Sequence, residues 1–202
     1  MKSLVVKLFV VLMISVVAKA YAVPAINKPA PEFKAVDSYG KEVSLKDFAG
    51  KKVILEWTNN ECPFVVKHYN SGNMQSLQKK YDDEDVVWLS VISSAKGKQG
   101  YVDGAGANKL SSSRGAQPDH VLLDPEGELG LKYGAKTTPH MYIVDEQGEL
   151  KYMGAIDSIR SASQSDIPKA TNYVTQAMLE LAEGKAVSEP VTQAYGCSIK
   201  YK

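Results

Sequence analysis

A largely apolar run that ends in a polar loop, a cysteine and a proline constrains the fold of this 202-residue chain more than any other feature. Residues 52–57 are rich in apolar and β-branched side chains, which is typical of a strand buried in the centre of a sheet. Cys62 follows this strand after a short polar loop, and Pro63 is well placed to open a helix. The order of strand, loop and helix predicts an α/β fold with the cysteine at the end of a strand.

Further elements predicted along the chain support a layered architecture. They are two extended pieces within residues 33–45, a helix over 63–81 with a kink at Gly72, a buried strand over 86–92, a short helix over 105–115, a brief strand over 121–123, a helical turn over 129–133 and a hairpin of residues 141–144 and 150–153. The clearest helix has apolar positions at Ala170, Tyr173, Val174, Ala177, Met178 and Leu181, and ends at Gly184. This order predicts a central mixed β-sheet flanked by helices, with reactive groups at the carboxyl ends of its strands.

The N-terminus has the pattern of a secretory signal peptide. Lys2 and Lys7 accompany an apolar run over residues 8–18, and the small residues Ala20 and Ala22 follow two positions apart. The run is shorter than the roughly 20 residues that a membrane span needs. We therefore expect a signal peptide over residues 1–22 and one exported domain over residues 23–202 with no stable membrane insertion. The location would be periplasmic in a Gram-negative bacterium and secreted otherwise, and an uncleaved anchor is the alternative.

The charge balance gives little attraction to nucleic acid. The chain has 24 Lys and Arg residues against 23 Asp and Glu residues, and three of the lysines fall within the predicted leader. The remainder holds no basic block or stripe. Nucleic acid and anionic membrane surfaces are therefore poor candidates for partners.

Both cysteines, Cys62 and Cys197, lie beyond the predicted leader. An oxidising compartment permits a disulfide between them. A cysteine reacts as its thiolate, and the unpaired amides and positive dipole end of a helix N-terminus favour that anion. The polar loop before Cys62 and the predicted helix after it indicate a nucleophile. The alternative is a small residue buried at the start of a helix.

Four segments carry a resemblance to a known family. Residues 55–65, with their Cys-Pro-Phe-Val sequence, resemble the strand, loop and helix of thioredoxin-like proteins. Residues 31–51 resemble the start of the alkyl hydroperoxide reductase/thiol-specific antioxidant (redoxin) group, and residues 137–140 resemble the superfamily's loop with a cis proline facing the reactive cysteine. The Gly-Cys-Ser-Ile-Lys tail around Cys197 is similar to that of a peroxiredoxin-like branch. The resemblance covers nearly all of residues 23–202 and implies a thioredoxin-like three-layer α/β fold.

The resemblance also implies roles for three residues. The Cys62 thiolate attacks an oxidant or a protein disulfide, and Cys197 is the natural second thiol that resolves the product. Gly196 and the short flanks of Cys197 indicate a mobile tail, although a permanent 62–197 disulfide that fastens the C-terminus is the alternative. Glu56 corresponds in position to the buried acid of thioredoxins, which moves protons; the alternative is an outward-facing residue on an edge strand.

We expect the substrate side of the site to consist of Thr58, Asn59, Thr138 and Pro139. A cis Pro139 would hold the Thr138 backbone open for a substrate strand. The chain nevertheless departs from its relatives at two points. Val65 stands where a thioredoxin has its second cysteine, which excludes local disulfide cycling, and Asn59 stands where a typical peroxiredoxin has a threonine or serine, with Thr58 displaced by one.

The sequence therefore predicts an exported thiol oxidoreductase, peroxiredoxin-like, that reduces peroxides or exchanges with protein disulfides. It would depend on a thiol or disulfide electron-donor protein and on no cofactor or metal. A non-catalytic binding module with a structural 62–197 disulfide is one alternative. A metal-delivery protein is another, although one thiolate with His68 or His140 makes a poor metal site.

Overall fold

The computed structural model describes residues 24–202, so the predicted signal peptide lies outside them. The strands are β1 (Lys34–Asp37), β2 (Glu42–Ser44), β3 (Val53–Trp57), β4 (Val87–Ile92), β5 (His120–Leu123), β6 (Thr137–Thr138), β7 (His140–Val144), β8 (Leu150–Gly154) and β9 (Cys197–Ser198). The α-helices are α1 (Pro63–Asn70), α2 (Asn73–Asp83), α3 (Gly104–Arg114), α4 (Glu128–Tyr133) and α5 (Tyr173–Ala182), and two 3-10 helices span Leu45–Phe48 and Gln164–Lys169. No helix in this part of the chain is both long and apolar enough to cross a membrane.

Seven strands form the central sheet in the order β2-β1-β5-β4-β3-β7-β8. Strand β3 lies near its middle, parallel to β4 and antiparallel to β7, so the sheet is mixed as predicted. Strands β6 and β9 pair with each other in a separate antiparallel sheet of two strands. All five residues of β3 are buried because neighbouring strands cover its edges and helices cover its faces.

The sheet has a hydrophobic core on each face. On one face, α1, α2 and α5 pack Val65, Met74 and Val174 against Ile54 and Ile143 of the sheet. The opposite core contains Leu55, Trp57 and Tyr142 of the sheet with Phe33, Leu129 and Tyr133. Alternate residues of β3 enter opposite cores, which follows from the two-residue period of a strand. Helices on both faces of a mixed sheet confirm the predicted three-layer α/β fold.

Two predicted helix boundaries were wrong. The helix over residues 63–81 is two helices, α1 and α2, because Gly72 has a φ of +75° and breaks the helix rather than kinking it. Ala170 does not belong to the last helix but follows the 3-10 helix Gln164–Lys169 in an extended conformation. Helix α5 begins only after Asn172, whose side chain accepts a hydrogen bond from the Thr175 amide and caps the helix.

The C-terminal tail, residues 195–202, packs on the domain. The Ile199 amide donates to the Lys136 carbonyl oxygen at 3.0 Å. The Tyr201 hydroxyl donates to the Ala135 carbonyl oxygen at 2.8 Å. Together with β9, these contacts return the tail to the segment just before β7.

Candidate active site

Cys62 is the N-cap residue of α1. Its backbone is extended, with φ −80° and ψ 121°, and Pro63 occupies the first helical position as predicted. The Cys62 amide donates to the Asn59 carbonyl oxygen at 3.0 Å, which closes the loop between β3 and α1. The side chain has no solvent exposure. The sequence thus correctly predicted a cysteine between a central strand and a helix N-terminus.

Backbone groups from β6 and β9 contact the Cys62 sulfur. The Cys197 amide points to Sγ with an N–S distance of 3.4 Å, and the Cys62 thiol donates to the Thr138 carbonyl oxygen at 3.1 Å. Thr138 and Cys197 are themselves opposite each other in the register of the two strands. The sulfur therefore lies where the helix N-terminus meets this small sheet.

The two cysteines are both free thiols and differ in acidity. Burial acts to raise the pKa of Cys62, but interactions with the Cys197 thiol, the Thr138 side chain and the amides of Cys197 and Val65 outweigh it and lower the pKa below its usual value. The Thr138 hydroxyl itself is buried and has no hydrogen-bond partner in residues 24–202. Burial and the interaction with Cys62 raise the pKa of Cys197 to about 11. Cys62 is therefore the thiol that ionises first.

The peptide bond between Thr138 and Pro139 is cis, as the resemblance implies. Thr138 is buried, and its carbonyl oxygen faces the Cys62 thiol. Its backbone edge is already paired with β9. The edge that the sequence assigned to a substrate strand is therefore occupied by the chain's own tail.

Thr58 and Asn59 lie close to Cys62 in sequence, but neither side chain forms a hydrogen bond to its sulfur. The Asn59 side-chain oxygen accepts a hydrogen bond from the Glu61 amide. Asn59 also packs on Gly100, where an added Cβ would lie 2.3 Å from the side-chain amide. The Thr58 Oγ1 and Asn59 Nδ2 atoms are buried with no hydrogen-bond partner in residues 24–202. The structure thus gives Asn59 a role in bracing the loop.

Glu56 is completely buried in β3, a strand inside the sheet, so the alternative of an outward-facing edge residue was wrong. Tyr69 of α1 donates to both carboxylate oxygens, at 3.0 and 3.1 Å. Trp88 Nε1 and Ser90 Oγ of β4 donate to Oε2 at 3.0 and 3.1 Å. The carboxylate is thus hydrogen-bonded to the same helix that Cys62 caps, without touching the sulfur itself.

Burial raises the pKa of Glu56 above its ordinary value. The hydrogen bonds from Trp88, Tyr69 and Ser90 and the positive charge of Arg114 act in the opposite direction but do not cancel this effect. Tyr69, Ser90 and Arg114 also line a cavity of about 10 Å³. This is about the space that one water molecule needs. Because burial raises its pKa, the Glu56 carboxyl group keeps its proton to a higher pH than an exposed glutamate does.

The sequence did not predict a buried charged cluster in which α1 contacts Asp157 and Tyr195. Lys67 Nζ is 3.0 Å from Asp157 Oδ2, and both side chains are almost fully buried. His68 Nε2 lies 3.6 Å from the same oxygen, and the Tyr195 hydroxyl donates to the other carboxylate oxygen of Asp157. Lys67 and Asp157 are 90 residues apart, and no spacing pattern in the sequence could have joined them.

His68 and His140 were considered as metal ligands, but neither belongs to a group of three possible ligands in residues 24–202. Burial lowers the pKa of both His68 and His140 to about 4, so both imidazoles are neutral at neutral pH. Among residues 24–202, no group of three or more His, Cys, Asp and Glu side chains could hold a metal ion.

The fold and the cysteine at the start of α1 define a protein of the thioredoxin-like class. The chain belongs to the Redoxin family, whose model matches residues 25–173. Its fold is similar to that of an uncharacterized conserved protein from Geobacillus kaustophilus, with a TM-score of 0.75, 25% identity and coverage of 88% of this chain and 93% of that one. A hypothetical protein from Sinorhizobium meliloti 1021 is similar at a TM-score of 0.74 and 20% identity, covering 90% of this chain and 97% of that one.

Two sequence relatives carry the name of a thiol-disulfide oxidoreductase. The chain is 29% identical over 125 residues to the thiol-disulfide oxidoreductase ResA of Bacillus thuringiensis subsp. konkukian, which covers 62% of this chain and 66% of that protein. It is 27% identical over 135 residues to the sporulation thiol-disulfide oxidoreductase A of Bacillus subtilis, with coverage of 66% and 72%. The chain therefore spans slightly less than two thirds of the length of ResA.

Proposed function

We propose that this chain is an exported thiol oxidoreductase in which Cys62 is the nucleophile and Cys197 resolves its product. The observation that carries the proposal is the position of Cys197, whose amide and thiol both face the Cys62 sulfur. A lowered pKa at Cys62 and a raised pKa at Cys197 suit an attacking thiolate and a thiol held in reserve. The names of the relatives support thiol–disulfide chemistry. Export rests on the sequence of residues 1–22.

With a disulfide substrate, the Cys62 thiolate attacks one substrate sulfur and breaks the S–S bond. The product is a mixed disulfide, and the other substrate sulfur leaves as a thiolate that takes up a proton. The Cys197 thiol then loses its proton and attacks the Cys62 sulfur. The 62–197 disulfide forms, and the second substrate thiol leaves. The substrate gains two electrons, which an external dithiol must return to the pair.

Peroxide reduction is the second candidate reaction, and the burial of the sulfur favours it. The side chain of Cys62 has no solvent exposure, so a small oxidant reaches it more easily than a protein does. The thiolate attacks one peroxide oxygen, which gives a Cys62 sulfenic acid and, after protonation, an alcohol or water. The Cys197 thiol attacks the sulfenic sulfur, releasing water and forming the same 62–197 disulfide. The peroxiredoxin-like branch of the resemblance belongs to this candidate.

Three further roles belong to the proposal. Glu56 acts as a proton store for the thiol–disulfide cycle, since its pKa is raised by burial and Tyr69 links it to α1. The backbone of Thr138, next to the cis bond to Pro139, receives the substrate strand once the tail has left it. Thr58 and Asn59 complete that side of the site by shaping the loop before Cys62.

Trapping the oxidised state tests the proposal. The reduced protein is treated with one equivalent of hydrogen peroxide, or separately with a cysteine-containing peptide disulfide, and Cys62 is mapped by mass spectrometry within seconds. We expect a sulfenic acid or a 62–197 bond from peroxide and a mixed disulfide from the peptide. The control Cys62→Ser must lose both products while remaining folded.

Three measurements separate the proposed function from the alternatives and test export. A binding module with a structural disulfide gives unchanged behaviour of wild type and Cys62→Ser in every thiol assay. A metal-delivery protein retains stoichiometric Cu(I) after dialysis. Mass spectrometry of the exported chain determines whether it starts at Val23, as cleavage after Ala22 requires.

A further inference from the structure

The charged cluster connects the two segments that carry the thiols. Lys67 belongs to α1, which Cys62 caps, and Tyr195 lies two residues before Cys197 in the tail. The Tyr195 hydroxyl donates to Asp157 Oδ1 and lies 3.4 Å from Lys67 Nζ. Asp157 accepts from both residues and therefore holds the tail and the helix to one buried anchor.

The ring of Tyr195 makes a second contact with the same helix. It packs edge-on against Phe64 with 5.7 Å between ring centroids. Only 4% of the Tyr195 side chain is exposed. The hydroxyl and the ring thus fix Tyr195 in two directions. A residue anchored in this way limits where the next residues of the tail can go.

Gly196 brings the tail backbone directly against β6. Its φ is +131°, and an added Cβ would lie 1.9 Å from the Thr138 carbonyl oxygen. That oxygen also accepts the hydrogen bond from the Cys62 thiol. Only a glycine permits this close approach, and it places Cys197 opposite Thr138 in the register.

We propose that Tyr195, Asp157 and Lys67 are positioning residues that seat the tail as an internal strand on β6, in the place that an extended cysteine-containing peptide would take. An extended peptide can add to a strand edge only where backbone groups are free. While the tail is seated, Cys197 is held at the Cys62 sulfur, and a peptide must displace the tail first. The role of the tail in catalysis rests on the proposed function, but its seating does not.

Seating is tested first without thiol chemistry. The variant Tyr195→Phe removes the hydroxyl that Asp157 accepts and keeps the ring against Phe64. Tyr81→Phe is the control, because it removes the hydroxyl of an equally buried tyrosine in α2 that has no hydrogen-bond partner in residues 24–202. We expect hydrogen exchange at the Cys197 and Ile199 amides to quicken about tenfold in Tyr195→Phe and less than twofold in the control.

A second pair of variants tests seating of the tail even if removal of the Tyr195 hydroxyl has only a weak effect. Gly196→Ala places a Cβ against the Thr138 carbonyl oxygen, whereas Gly184→Ala introduces the same side chain at a positive φ with no atom within 4 Å. We expect only Gly196→Ala to release the tail, with both variants still folded by circular dichroism. Equal exchange rates in the tail of Gly196→Ala and Gly184→Ala would overturn the proposal.

The consequence for peptide access is measured with a cysteine peptide activated as a mixed disulfide. In a Cys197→Ser background, adding Tyr195→Phe should speed its reaction with Cys62 about tenfold, and adding Tyr81→Phe should not. With Cys197 present, Tyr195→Phe should slow formation of the 62–197 disulfide after one equivalent of peroxide. If Cys62 reacts in every variant at one rate, the positioning role is wrong and the proposed function survives. If Cys62 reacts in none, the proposed function fails, and the exchange data alone decide on seating.

Discussion

The Cys197 amide lies 3.4 Å from the Cys62 sulfur, although the two residues are 135 positions apart in the chain. Cys197 is also the strand partner of Thr138, whose carbonyl oxygen accepts a hydrogen bond from the Cys62 thiol. The acidity of the candidate nucleophile is therefore controlled by the tail as well as by the helix that Cys62 caps.

Replacing Cys197 should make Cys62 less acidic. Cys197→Ala removes the thiol donor, and a hydrogen bond to a charged group contributes about 1.5–3 kcal/mol. We expect iodoacetamide to label Cys62 about tenfold more slowly at pH 7 in this variant, with the midpoint of its pH–rate profile shifted upward. Ser198→Ala is the control, because Ser198 is exposed and does not contact the sulfur. A profile identical to that of wild type would show that Cys197 does not stabilise the thiolate.

The raised pKa of Glu56 predicts a pH-dependent cost to stability. The folded state holds the proton of Glu56 to a higher pH than the unfolded state, whose carboxyl ionises near 4.5. The free energy of unfolding should therefore fall as the pH rises above about 4.5, until the folded carboxyl ionises. Glu56→Gln should remove this contribution from urea titrations between pH 4 and 8. The exposed Glu84→Gln variant should keep the wild-type slope.

The same Glu56→Gln variant tests the proposed proton store. If the carboxyl exchanges a proton during thiol chemistry, the pH dependence of Cys62 reactivity should change in Glu56→Gln and remain unchanged in Glu84→Gln. A shift in stability without any change in that pH profile would leave Glu56 with a structural role only.

The two buried histidines should stay neutral well below their ordinary pKa. Burial lowers the pKa of His68 and of His140 to about 4. The unfolded state takes up these protons near pH 6.5, so stability is lost as the pH falls from about 6.5 towards 4, by up to about 3 kcal/mol for each histidine. The ring resonances of both should not titrate between pH 8 and 5 in NMR spectra. A titration midpoint above pH 6 for either ring contradicts the burial argument.

Breaking the buried ion pair should be costly. Asp157→Asn leaves the Lys67 ammonium without its carboxylate, and removing one partner of a buried pair costs about 3–5 kcal/mol. We expect that loss in the free energy of unfolding measured with urea. Asp166→Asn, which breaks an ion pair with exposed Lys169, is the control and should cost far less. Similar losses in the two variants would mean that burial adds nothing to the Lys67–Asp157 pair.

Local patterns in the sequence predicted most elements of the fold. The β-branched run before Cys62 became β3, and residues 105–115 became α3 within one residue at each end. The errors occurred where a single residue changes the backbone. Gly72 separates two helices that share one hydrophobic face, and Asn172 delays the start of α5 beyond the periodic Ala170.

The sequence by itself determined the position of Cys62 at a helix N-terminus and the burial of its strand, because both depend on neighbours along the chain. Only the tertiary structure decided that the tail lies on β6 and that Lys67, Asp157 and Tyr195 share one buried site. Lys67 is 90 residues from Asp157 and 128 from Tyr195. Contacts over such separations leave no periodic signal, since they form only when the sheet and helices have brought distant segments together.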